Sequence, residues 1–389
     1  MKITSVTSHI LRIPLGDRVF YSSQARFPER NSYLVRIETD TGLVGWGEGG
    51  QYGPPEPVAA VIDYVFAPKL IGRDPTEPVV IWEHLYAFSR DFGQKGTYVE
   101  AISAIDIALW DISGKAVGLP VSKMLGGAFR KQVKAYATGC YYPEEYHDLP
   151  KILENLKFEA TRYRDLGFDA LKVKIGLLDI RADAERLRII RETVGPSVAI
   201  MVDANHAYSA STAIQMGKLM ENYDIRFFEE PVIPEDRAGY RRVRAENPIP
   251  VAGGEAEFTR YGFRDFLGEG CVDIVQPDLT VCGGFTAFSQ ILAMANAYGV
   301  LVVPHVWGSG IALAAALQAL ATIPPMPHSA NPIPLRNEPM VEFDRTHNSL
   351  RDELLVEKFE LVDGCVGVPQ GPGLGVTIDE EALRRFESL

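Results

Sequence analysis

From about residue 133 onward, short apolar runs alternate with stretches of helical spacing: "VKAYATG", "ALKVKIG", "VAIMVDAN", "IRFFEEP", "PVAGGE", "VDIVQPD" and "VLVVPH". A strand-then-helix rhythm of this kind implies parallel strands joined by crossover helices. The polar residues at successive run ends are Lys174, Asp203, Glu229, Glu255, Asp278 and His305, spaced by 29, 26, 26, 23 and 27 residues, each about one βα unit. A closed (β/α) barrel gathers the C-terminal ends of all its strands at one mouth, so every strand has reason to end on a reactive side chain. An open doubly wound sheet binds at one switch point and gives no such reason. The pattern predicts a barrel whose chemistry sits at the strand C-termini.

The segments on either side read differently. "SYLVRIETDTGLVGWGEGG" alternates, turns at Thr41-Gly42 and alternates again, the mark of a hairpin. "EAISAIDIALWDISGKAVGLP" follows with helical spacing and stops at Gly118 and Pro120. The 389-residue chain thus divides into an α+β capping region (1–130), the barrel (131–335) and a C-terminal segment (336–389) that returns to the cap. The last barrel strand is expected near Ser329.

Composition removes several function classes. With 46% apolar and 23% charged residues the chain is an ordinary globular one, and no apolar run reaches the roughly 20 residues of a membrane span. "MKITSVTSHILRIPL" has no long apolar stretch or cleavage site, so a cytoplasmic protein is expected. A net charge of −12 disfavours nucleic acid and acidic surfaces as partners. An anionic substrate then needs a locally positive site. The cysteines, Cys140, Cys271, Cys282 and Cys365, are too scattered for zinc or redox motifs and read as structural thiols.

Within "ALKVKIG" side chains alternate, so Lys172 and Lys174 share a face and enter the barrel together. Ammonium groups are almost never buried without partners, so carboxylates must lie nearby. Asp203, Glu229 and Glu255 end three consecutive strands and converge at the mouth. Three carboxylates repel unless a cation joins them, and an all-oxygen set suits Mg²⁺, or Mn²⁺ in its place, better than zinc. Helix capping would explain one such acid but not three in succession beside a lysine pair. Glu230, next to Glu229, should point elsewhere.

Adjacent ammonium groups lower each other's pKa, which would bring one lysine toward duty as a base. On the far strands, Asp278 is placed to hold and polarise His305, a second base. His206, in "DANHAYS", either donates a proton or lines the rim. A divalent cation with bases on both sides suits removal of the weakly acidic proton beside a carboxylate, the enediolate charge being stabilised by the metal and Lys172.

The "AISAIDIALWDISGKAVGLPVSKMLGG" segment, the KxK of "LKVKIG", "DAN", "EEP", "GGE", "QPD" and "PHVWGSG" resemble the enolase superfamily, mandelate racemase subgroup, over nearly the whole chain. The resemblance implies a modified (β/α)₇β barrel under an α+β cap, Mg²⁺ on Asp203, Glu229 and Glu255, and Lys174 and His305 as bases. "DANHAYS", "PVAGGEAEFTRYG", "PDLTVCGGF" and "MVEFDRTHNSLRDELL" look like the subgroup's cycloisomerases of aldarate lactones such as galactarolactone, which remove the α-proton and expel the ring carboxylate. The subgroup's partner glutamate falls near position 325, a proline here; Glu338 and Glu342 come 33 and 37 residues after His305, and Glu342 is preferred.

The expected partner is a small hydroxylated carboxylate or its lactone, and a homo-oligomer is expected. An acid-sugar dehydratase is the alternative; a racemase or epimerase and an inactive sugar-acid binder rank lower. The loops 16–31 and 49–57 should set the substrate, with Tyr21 and Arg26 reading its distal end.

Overall fold

The computed structural model describes residues 1–50, 53–327, 330 and 337–387. Among the described residues, eight parallel strands form the central sheet: Gln132–Gly139, Ala170–Lys174, Ala199–Asp203, Ile225–Glu229, Val251–Gly253, Ile274–Val275, Leu301–Val302 and Met340–Asp344. A helix separates each from the next, and Met340–Asp344 pairs in parallel with the first strand. The architecture is a (β/α)₇β barrel. The strand expected near Ser329 falls outside the described residues. The strand that meets the first one begins at Met340, beyond the expected boundary at 335, because its run "MVEFD" has the inward alternation that pairs with "KAYAT".

Period-two alternation fills the barrel in layers. Tyr136, Ala170, Met201, Phe227, Ala252, Ile274, Val303 and Met340 form a buried apolar cluster of their own, one residue from each strand or its immediate extension. Two residues further along, the inward positions become Thr138, Lys172, Asp203, Glu229, Gln276, His305 and Glu342, all buried. The lower layer is a plug and the upper one a charged floor. Local residues start the helices after the second, third and fourth strands: the side chains of Asp179, Ser209 and Asp236 accept from first-turn amides.

The cap is a three-stranded antiparallel sheet, Ile3–Pro14, Glu29–Thr39 and Val44–Gly49, packed on the helix Thr97–Val117. In "VGWGEG" the glycines face the helix and Trp46 and Glu48 face away. A Cβ on Gly47 would lie 1.9 Å from the Ala104 carbonyl oxygen, so only glycine allows this approach. The C-terminal segment adds Cys365–Gly367 to the first barrel strand and sets the helix Glu380–Glu387 against Ile3–Pro14. No described helix is long and apolar enough to cross a membrane. Gly47→Ala must push helix and sheet apart, and should cost roughly 1–3 kcal/mol or more of stability, read as a fall in the urea midpoint with unchanged slope.

Candidate active site

The strand ends bring the sequence-predicted residues together at the barrel mouth. One carboxylate oxygen from each of Asp203, Glu229 and Glu255 lies within 4.8 Å of the others, and all three side chains are buried. Lys172 Nζ is 2.7 Å from Glu229 Oε1 and 2.8 Å from Glu342 Oε1, while Lys174 Nζ pairs with Asp203 Oδ2. On the other side of the triad His305 Nδ1 is 2.7 Å from Asp278 Oδ2, and its Nε2 is 3.6 Å from Glu255 and 3.9 Å from Glu342. In sheet order the three triad strands lie between the lysine strand and the Asp278 and His305 strands. The lysines and the histidine therefore flank the carboxylates from two sides.

Charge decides what this arrangement lacks. Even with both histidines protonated, six carboxylates (Asp203, Glu229, Glu230, Glu255, Asp278, Glu342) exceed the four cations (Lys172, Lys174, His206, His305) by two. Burial pushes Glu229 and Glu255 above the usual carboxylate range, and like charges on Asp203 and Glu230 add to it. Glu255 Oε2 is buried without a hydrogen-bond partner among the described residues. A buried acceptor in that condition is costly unless a cation meets it. The oxygen-only donor set fits a hard divalent cation, which supplies the missing charge.

The lysines do not titrate as their sequence positions suggest. Burial lowers Lys174, and Lys172 lowers it further, but Asp203 together with Tyr141 and Glu255 outweighs them and holds it above its ordinary value. Burial likewise lowers Lys172, and Glu229 with Glu342 overcomes that. On the chain's own charges, neighbouring carboxylates rather than the like charge set both ammonium groups. His305 is raised to about 10, burial being outweighed by Glu255, Glu342 and Asp278.

Of the two glutamates expected after His305, Glu342 is the one that lies against Lys172. It is 1% exposed, accepts from Thr138 Oγ1 at 2.5 Å and from the Val306 amide at 3.3 Å, and sits on the strand whose neighbour carries Thr138. Glu338 lies near the other end of the barrel with Arg226 and Leu301. Glu230 turns away from the triad: its φ of 43° directs it to His206, whose Nε2 is 2.6 Å from Glu230 Oε2. Burial lowers His206 but Glu230 raises it to about 9.

The cleft above the triad has a polar floor of Lys174, Asn205, Glu255 and His305 and walls of Ser22, Gln24, Phe27, Tyr141 and Trp307. Tyr21, Arg26, His206 and Glu342, expected to bind substrate, are not among these lining residues. The reason for the first two is alternation in a short hairpin. Phe20 pairs with Phe27 and Tyr21 with Arg26, so the phenylalanines face Tyr141 and Trp307 while Arg26 bonds Tyr21 Oη and Glu144 outside. Glu342 lies behind Lys172, and His206 is held by Glu230. Sequence reasoning missed Ser22, Gln24 and Phe27, which the same hairpin turns inward. It also missed Gln276, whose Nε2 holds Glu229 Oε2 at 2.8 Å and which "QPD" had marked. Gln51 and Tyr52 of the 49–57 loop lie outside the described residues.

Comparison with known proteins agrees with this geometry. Residues 155–382 match the enolase C-terminal domain-like family model, and residues 22–126 match the mandelate racemase / muconate lactonizing enzyme N-terminal domain. The chain is 46% identical to the D-galactarolactone cycloisomerase of Agrobacterium fabrum over 99% of both chains. It is 37% identical to the arabinonate dehydratase of Saccharolobus solfataricus over 91% of this chain and 90% of that one. A racemase from Streptomyces coelicolor solved with bound magnesium superposes with a TM-score of 0.86 at 30% identity, covering 99% of both chains.

If the triad holds a divalent cation, Mg²⁺ at 100 times its Kd should stabilise the fold by about 2.7 kcal/mol, read as a rise in the unfolding midpoint. Glu229→Gln should abolish most of that rise and leave the far-ultraviolet spectrum unchanged, as measured by thermal unfolding and calorimetric titration. An equal Mg²⁺ response in the variant would remove Glu229 from the ligand set.

Proposed function

The chain is an enzyme of the mandelate racemase / muconate lactonizing enzyme family, and from that membership and the geometry of its site we propose that it opens an aldarate lactone, galactarolactone being the best candidate, by α-proton removal and β-elimination. The observation that carries the reading is a carboxylate triad with a base on each side, Lys174 and His305. We propose Mg²⁺ as the resident cation on Asp203, Glu229 and Glu255, with Mn²⁺ as a substitute. When bound, it supplies Lewis-acid stabilisation of charge on the substrate carboxylate.

The chain's own residues do the rest. Lys174 or His305 takes the α-proton, according to which face carries it, and Asp278 orients the imidazole through Nδ1. Lys172, held between Glu229 and Glu342, keeps a fixed positive charge beside the developing enediolate. The bond from the β-carbon to the ring oxygen then breaks, and its electron pair leaves on a carboxylate. The enol so formed takes up a proton at the β-carbon and gives up its hydroxyl proton, leaving a linear keto acid isomeric with the lactone. The aromatic walls Phe27, Tyr141 and Trp307 offer apolar faces to the C–H surface of a small ring and exclude water.

Dehydration of an open-chain aldarate or aldonate is the second reading, supported by the arabinonate dehydratase relative. It needs a proton donor at the departing hydroxide, because hydroxide leaves far less readily than carboxylate. The proposal further includes a cytoplasmic location and self-association, the latter supported by Tyr64, Phe88 and Phe92, large apolar side chains left exposed on the cap.

Two outcomes test the reading. Galactarolactone should turn over with much higher kcat/KM than open galactarate, giving a product of unchanged mass by mass spectrometry; loss of one water from the open acid with the lactone inert would establish the dehydratase instead. Lys174→Ala and His305→Asn should each abolish deuterium exchange at the α-carbon only for the diastereomer whose proton faces the missing base, lowering it by about 100-fold or more.

A further inference from the structure

Two carboxylates of the capping domain are buried far from any role in the triad. Glu48 is 0% and Asp106 1% exposed, and neither has an ion-pair partner among the described residues. Both face N–H and O–H groups of barrel helices. Glu48 Oε1 accepts from the Ser309 amide at 2.9 Å, and Oε2 accepts from Ser309 Oγ at 2.5 Å and the Ala312 amide at 2.9 Å. Asp106 accepts from the Thr286 amide at 3.0 Å and from Thr286 Oγ1 at 2.5 Å. These donors lie at the starts of the helices Gly310–Thr322 and Gly284–Tyr298, where unpaired amides and the helix dipole favour an anion.

Those two helices are the ones that follow His305 and Asp278. We propose that the capping domain positions the Asp278–His305 pair through Glu48 and Asp106, each seated on the helix that follows one member of the pair. The inference rests on the reading of His305 as one of two bases.

The chain between His305 and its helix has no slack. The Val306 amide is held by Glu342 at 3.3 Å, the Trp307 carbonyl by Arg30 at 3.3 Å, the Gly308 carbonyl by Asn348 at 3.2 Å, and the Ser309 amide by Glu48. Arg30, also from the cap, stacks over the Trp307 ring at 3.7 Å. A Cβ on Gly308 would come within 2.6 Å of Glu48 Oε1, so the segment is shaped around that carboxylate. On the Asp278 side, the helix begins at Gly283 with no side-chain cap of its own, and the cap domain supplies one: Ser103 accepts the Gly283 amide at 2.9 Å and Asp106 takes the next turn. The helices after Lys174, Asp203 and Glu229 are capped by residues of their own loops, and the helix after His305 has a local cap too, Ser309 Oγ accepting from the Ile311 amide at 3.1 Å, to which Glu48 is added. Burial pushes Glu48 up, and Asp106 up to about 7, so each seat bears a desolvation cost.

The test compares Glu48→Gln, Asp106→Asn and the milder Ser309→Ala with Asp111→Asn. Asp111 is a buried carboxylate of the same cap helix, but it binds the Trp46 and Leu374 amides and touches neither dyad helix. In ¹⁵N-histidine-labelled protein, the Nδ1–H resonance of His305, assigned with His305→Asn, reports the bond to Asp278 without any substrate. It should shift or vanish in the first three variants and stay in Asp111→Asn. With a pair of aldarate lactones epimeric at the α-carbon, deuterium exchange from the His305 face should fall about 10- to 100-fold in the same three, with exchange from the Lys174 face retained. Ser309→Ala stands in where a carboxylate variant does not fold. An unchanged resonance in the three, or a parallel loss in Asp111→Asn, overturns the inference. Wild-type protein that exchanges neither lactone overturns the proposed function instead, and the resonance still decides the positioning.

Discussion

Lys172 is fully buried at the barrel axis, and the upper half of the interior is organised around that charge. Glu229 and Glu342 take its ammonium from two sides, Thr138 donates to Glu342, and Gln276 donates to Glu229. Every contact runs between different strands. Removing one partner from such a set leaves a buried charge uncompensated, which costs about 3–5 kcal/mol. The network therefore fixes where the carboxylates point before any ligand arrives, and its excess of negative charge makes the site a receptor for a divalent cation.

The apolar plug beneath this layer makes the network possible. Tyr136, Met201 and Phe227 lie under the lysine in a buried apolar layer. Low dielectric strengthens each pairing and penalises each vacancy. The aromatic walls above do the same from the solvent side, with Phe27, Tyr141 and Trp307 over a polar floor. A reaction that develops negative charge on a substrate carboxylate gains most in a space closed in this way.

The cap is more than a cover. Its glycine-lined strand lets the helix Thr97–Val117 approach closely, and the alternation that turns glycines to the helix turns Glu48 to the barrel. One packing constraint thus sets both the interior of the cap and its grip on the segment after His305. Arg30 adds a second hold through Trp307, which is also a wall of the cleft.

The sequence by itself determined the barrel, the triad, the lysine pair and the Asp278–His305 pair. All of these follow from the period-two alternation of single strands and the regular spacing of strand ends, which are local properties. Tertiary structure decided the rest. Glu342 and not Glu338 faces the lysine because the strand after the 331–336 segment pairs with Gln132–Gly139, a contact between residues about two hundred apart in sequence. Whether Lys174 is raised or lowered depends on a carboxylate from another strand. Tyr21 and Arg26 turn outward while Phe27 turns inward because a two-residue hairpin register reverses the faces, and loop sequence carries no periodicity from which to read it. The anchoring of the dyad helices by Glu48 and Asp106 was equally invisible, since a helix N-terminus filled from another domain leaves no mark on the helix that receives it.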